Sequence, residues 1–148
     1  ISIFNGLKRR EMELHGSCLC GSACFVCKGK PLMMGCCHCA DCQKASGSAF
    51  SPLLIYPIDK FELLRGDLKE FCQRGGSGKE VKRSFCGNCG SLLTTWYEVT
   101  PDFMVIMAGC IDNKAEFKPA WDIYTKEAQS WVEFGKGHKV YPMGYGSK

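Results

Sequence analysis

The stretch that decides how this chain is organised is Gly35 to Phe50, GCCHCADCQKASGSAF (residues 35–50). Within it Cys37, Cys39 and Cys42 form a C-x-C-x-x-C cluster, so three thiols lie close enough in sequence to converge on one soft metal ion. Cys36 is adjacent, but neighbouring side chains of an extended backbone point apart. Three protein ligands with a fourth, exchangeable position are the pattern of catalytic zinc, whereas closed four-ligand shells are structural. Two alternatives stay open on spacing alone. Cys36, His38 or His15 could complete a second structural site, or Cys39-x-x-Cys42 could serve as a redox dithiol.

Outward from the cluster lie two half-sites. Cys18 and Cys20, set between Gly16 and Gly21, are two apart and so face the same side of an extended backbone. Downstream, Phe85-Cys86-Gly87-Asn88-Cys89-Gly90-Ser91 is a knuckle pattern, in which a tight glycine-assisted turn aims both sulfurs at one ion. Neither pair fills a tetrahedral shell alone. Joined, Cys18, Cys20, Cys86 and Cys89 make a closed structural zinc site and leave the central cluster for a second ion.

The other cysteines read as packing residues. Cys24 and Cys27 flank Phe25-Val26 on a short strand and face opposite sides, and Cys72 and Cys110 stand alone in β-like runs. Twelve cysteines in 148 residues, in short paired spacings and without a secretory segment, point to metal binding in a reducing compartment, the cytoplasm. No apolar run is long enough to span a membrane. The formal charge of +4 falls to about +1 if seven thiolates bind two divalent ions, and the basic residues are scattered, so nucleic-acid binding is not expected.

The remaining pattern is mainly β. Residues 32–37 read as a strand entering the cluster, and 41–48 as a short helical turn and loop. Residues 50–58, with Pro52 and Pro57, read as an edge or bulged strand. Residues 60–64 and 69–73 read as a hairpin turning at Gly66-Asp67, and 79–85, 92–97 and 103–108 as further strands. Trp131 and Phe134 are expected to close a core edge. Residues 1–11 read as a leader segment ahead of Met12, 12–134 as the zinc-binding domain, and 135–148 as a flexible tail.

These motifs resemble the glutathione-dependent formaldehyde-activating enzyme family, which also includes centromere protein V. The resemblance rests on Gly16-Ser17-Cys18-x-Cys20-Gly21, Cys37-His38-Cys39-x-x-Cys42 with Ala45 to Phe50, Ser77-Gly78-Lys79, Arg83-x-Phe85-Cys86-x-x-Cys89-Gly90-Ser91, and Ala108-Gly109. It implies an Mss4-like β-tent of antiparallel sheets and two zinc ions. One would be structural on Cys18, Cys20, Cys86 and Cys89, the other catalytic on Cys37, Cys39 and Cys42. The implied activity is a carbon–sulfur lyase reaction, the reversible condensation of formaldehyde with glutathione to S-(hydroxymethyl)glutathione. Cys36 and Cys110 are additional thiols relative to the family pattern.

Glutathione carries two carboxylates, so Lys44, Lys79 and Arg83 are candidate anchors, each with the alternative of a solvated surface cation. Trp121 is a candidate pocket wall or, equally, a core aromatic. The rival functional class is a non-catalytic zinc module for protein interaction or thiol guarding.

Overall fold

A computed structural model describes residues 10–148 of the chain; of the expected leader, residues 1–9 lie outside the described residues. In chain order the strands are β1 Glu13–Ser17, β2 Cys24–Lys28, β3 Met33–Cys37, β4 Ser51–Pro57, β5 Phe61–Arg65, β6 Leu68–Arg74, β7 Glu80–Cys86, β8 Leu92–Tyr97, β9 Phe103–Met107, β10 Trp121–Ile123 and β11 Lys139–Val140. Among the described residues a single α-helix, α1 Ala40–Ser46, begins within the cysteine cluster, with short 3-10 turns elsewhere. The expected mainly-β fold with short helical turns is what the structure shows. No helix among the described residues is long and apolar enough to cross a membrane.

Two sheets result. Strands β1, β2 and β5 form the small one, and β11-β10-β3-β4-β9-β8-β7-β6 the large one, antiparallel except where β10 joins β3 and β11. Period-two alternation gives the large sheet an apolar residue on each face. Leu54, Tyr56, Leu93 and Ile106 meet Leu14, Phe25 and Cys27 of the small sheet in one core. Leu53, Val105 and Met107 point the other way, into a second core with Cys37 and Cys42. The cysteine cluster is therefore built on the outer face of the large sheet, under α1.

Three expectations are corrected. Residues 60–64 and 69–73 are not a hairpin: β5 pairs with β2 in the small sheet, while β6 pairs with β7 in the large one. The chain changes sheet at Gly66, which passes so close to Ala23 that a β-carbon there would sit 2.6 Å from the Ala23 Cα. Second, β4 is an interior strand between β3 and β9. Its prolines are tolerated because each lies at an end with one neighbour, Pro52 beside Cys36 and Pro57 beside Phe103. Third, Trp131 does not close a core; it is 70% exposed, and only Phe134 packs inward, against His38.

Residues 135–148, expected to be a flexible tail, carry β11 and a run of main-chain bonds, including Tyr141 N–H to the Asp122 carbonyl (2.9 Å) and Tyr124 N–H to the Met143 carbonyl (2.8 Å). Cys72, expected to pack, lies exposed on the edge strand β6.

Candidate metal centres

Two tight turns create the first cluster. Cys18 and Cys20 occupy the turn after β1, closed by Gly21 N–H on the Cys18 carbonyl (3.1 Å). Cys86 ends β7, and Gly90 N–H returns to its carbonyl (2.9 Å) with Cys89 between. The two turns are tied by Leu19 N–H donating to Ser91 Oγ (3.0 Å). All four sulfurs lie within 4.8 Å of one another. The Cys18–Cys20 and Cys20–Cys86 separations are 3.5 and 3.9 Å, close to the roughly 3.8 Å between sulfurs of a tetrahedral zinc with bonds of about 2.3 Å.

Polar neighbours favour the thiolate at two of these sulfurs, Cys20 and Cys89. The Ser22 hydroxyl and the Asn88 amide donate to Cys20 Sγ (3.0 and 3.2 Å) and hold its thiol down to about 5. The Ser91 hydroxyl, 3.3 Å from Cys89 Sγ, lowers that thiol to about 7. Sequence reading missed Ser22, Asn88 and Ser91 as sulfur partners, although Asn88 and Ser91 sit inside the quoted knuckle and Ser22 directly follows Gly21.

The second cluster, Cys37, Cys39 and Cys42, also has its three sulfurs within 4.8 Å of one another. Cys37 ends β3, Cys39 caps the N-terminus of α1, and Cys42 lies in its first turn, its N–H donating to Cys39 Sγ (3.4 Å). Cys37 and Cys42 are buried and Cys39 is half-buried. Hydrogen bonds from the Cys37 and Cys42 thiols pull the Cys39 thiol far below its ordinary value, and the same bond pushes Cys37 far up. The Cys37 contact favours the Cys42 thiolate, but the bond to Cys39 and burial outweigh it and push Cys42 up to about 11. Without metal, the thiols of Cys37 and Cys42 favour negative charge on Cys39. The donor set of three converging sulfurs fits a zinc ion.

No fourth side chain joins this set among the described residues. Cys36 is a buried thiol pushed up to about 12 by desolvation and by Asp122. His38 turns its Nε2 to Asp122 Oδ1 (2.7 Å), and His15 lies on the surface beside Glu13 (3.1 Å). Cys110 donates to the Leu92 carbonyl (3.3 Å) and stands outside both clusters.

Leu92, Tyr97, Met107 and Tyr124 pack in the same core as Cys37 and Cys42. Tyr124 is the one non-glycine described residue with positive φ (55°), a left-handed conformation that stores strain beside the cluster. Glu127 reaches the start of α1 and accepts from Ala40 N–H (2.8 Å). The two tyrosines and Glu127 carried no sequence signal, because they come from β8, from the residue after β10 and from a 3-10 turn.

A cleft of about 340 Å³ runs along α1 past Leu92, lined by Asp41, Lys44, Phe71, Gln73, Arg83 and Phe85. Arg83 takes an inward position on β7 that alternation assigns to an apolar residue, and is only 7% exposed. It has no carboxylate partner among the described residues. A buried cation without a partner is costly and suits an incoming anion. Of the three candidate anchors, Lys44 and Arg83 line this cleft, whereas Lys79 is exposed in the β6–β7 turn, outside its lining. Trp121 is no pocket wall: it is 4% exposed and lies flat over Gly35, where a β-carbon would meet its ring at 2.1 Å.

The family profile described as "Glutathione-dependent formaldehyde-activating enzyme" matches residues 13–127. A protein from Rhodobacter sphaeroides of known crystal structure superposes with a TM-score of 0.54 at 17% identity, over 67% of this chain and 88% of that one. At that identity the likeness is one of fold. No curated protein matches the chain.

Proposed function

Because the chain belongs to the glutathione-dependent formaldehyde-activating enzyme family, we propose that it is a zinc-dependent carbon–sulfur lyase, condensing formaldehyde with glutathione or performing a related thiol-adduct reaction. The observation that carries this reading is a three-sulfur cluster left uncompleted by any fourth side chain, next to a cleft with an unpartnered buried arginine. A zinc ion held by Cys37, Cys39 and Cys42 would supply an exchangeable position that favours the thiolate form of an incoming thiol.

The chain itself does the rest. Arg83 and Lys44 bind substrate carboxylates, Arg83 through its planar two-pronged fork. Leu92, Met107 and Tyr97 belong to the same apolar core as Cys37 and Cys42. In the condensation the thiol sulfur forms a bond to the aldehyde carbon, the carbonyl π pair moves to oxygen, and that oxygen takes up a proton as the thiol loses one. Cys18, Cys20, Cys86 and Cys89 hold a second, structural zinc. All twelve cysteines are free, in keeping with a reducing compartment, and we place the protein in the cytoplasm.

The test is exchange between ¹³C-formaldehyde and its glutathione adduct, followed by NMR with zinc-loaded protein. Exchange above the uncatalysed rate, lost in Cys39→Ser, is expected. Background exchange with wild-type protein overturns the reading.

A further inference from the structure

Asp122 is a carboxylate buried to 3% exposure on β10, where it serves neither sulfur cluster as a ligand. Both its oxygens are taken. Oδ1 accepts from His38 Nε2 (2.7 Å) and Oδ2 from His138 Nδ1 (2.7 Å). Burying a charge is expensive unless it is fully hydrogen-bonded, and this one is satisfied by two short contacts from opposite ends of the site.

His38 is the residue between Cys37 and Cys39; it is held through its backbone and its Nε2, while its Nδ1 is buried without a partner among the described residues. Its N–H donates to the Ile123 carbonyl (3.0 Å), its carbonyl accepts from Gln43 Nε2 (2.7 Å), and its ring lies between Phe50 and Phe134, each 5.2 Å away centre to centre. The backbone at His38 sets the relative direction of the two flanking sulfurs. His138 comes from the C-terminal segment, whose strand β11 pairs with Trp121 and Asp122. Two short contacts, His138 to Asp122 and Asp122 to His38, thus connect that segment to the three-sulfur loop and bypass the four-sulfur site.

We propose that Asp122 and His138 are positioning residues for the three-sulfur metal site: through His38 they hold Cys37 and Cys39 in ligating geometry. This rests on the reading that Cys37, Cys39 and Cys42 bind a metal. Comparable carboxylate and imidazole supports around metal ligands change affinity by about 10- to 100-fold when removed.

The experiment loads the full chain with ¹¹³Cd, assigns one NMR resonance to each cluster with Cys39→Ser, and measures each site's affinity by chelator competition. His138→Ala and Asp122→Asn should weaken the three-sulfur site by about 10- to 100-fold and leave the four-sulfur site unchanged. His138→Asn, whose side-chain amide can still donate to Asp122 Oδ2, should recover most of the loss. Unchanged three-sulfur affinity in His138→Ala overturns the proposal. So does equal weakening of both sites, or a His138→Asn no better than His138→Ala. If Asp122→Asn does not fold, the two His138 variants decide. A wild-type chain that takes up a single cadmium overturns the metal reading, and this inference with it.

Discussion

Cys20 Sγ lies 3.9 Å from Cys86 Sγ, although 66 residues separate them in sequence. The contact joins the turn after β1 of the small sheet to the end of β7 in the large one, so the four-sulfur cluster is a clasp between sheets. Zinc bound to such sites contributes on the order of 10–16 kcal/mol in small peptides, comparable to the whole stability of a domain. Cys86→Ser should therefore give insoluble or unfolded protein. A soluble variant with the wild-type circular dichroism spectrum would contradict this.

Arg83 supplies the second prediction. Hydrogen bonds to a charged partner are worth about 1.5–3 kcal/mol, so Arg83→Ala should raise KM for glutathione roughly 10- to 100-fold with little change in kcat. Arg83→Lys, lacking the planar fork, should recover only part of the loss. Turnover of a neutral thiol should be unaffected in both variants. An equal fall for charged and neutral thiols would remove Arg83 as an anchor.

The metal-free cluster should react unevenly with alkylating agents. The Cys39 thiol is held far below its ordinary value by its two neighbours, whereas Cys37 is held far above. At about pH 6 Cys39 is thus already a thiolate while Cys37 and Cys42 remain protonated, and iodoacetamide should label Cys39 first among the three. Labelling is read by peptide mass spectrometry. As pH rises toward about 11, Cys42 should follow. Simultaneous labelling of all three near the free-thiol value of about 8.5 would contradict the placing of negative charge on Cys39.

Gly35 offers a test of packing beneath the cluster. Its missing side chain leaves room for the Trp121 ring, and an added β-carbon would fall 2.1 Å from a ring atom. Gly35→Ala should lower stability by about 1–3 kcal/mol, measured by thermal unfolding of the zinc-loaded protein. An unchanged midpoint would mean that β3 and β10 can separate freely there.

The metal ligands were legible because they come in short, turn-compatible pairs whose chemistry is local. Arg83 was named only as one of three cations that could meet substrate carboxylates; its inward, buried place on β7 came from the structure. The false hairpin at Gly66-Asp67 shows the limit of local reading. Its turn chemistry suits a hairpin, yet β5 finds its partner in β2, far upstream, and long-range pairing wins. The exposed Trp131 defied the ordinary rule that large aromatics are buried. The His38–Asp122–His138 chain left no trace in any window, since its members are 84 and 16 residues apart and meet only when β10 inserts beside β3.

The division of the seven sulfurs into one closed and one open site is most directly tested by native mass spectrometry of the zinc-loaded full chain beside Cys39→Ser. The expected result is two zinc ions in the wild-type chain and one in the variant, with the fold retained. One zinc in the wild type, or two in Cys39→Ser, would contradict it.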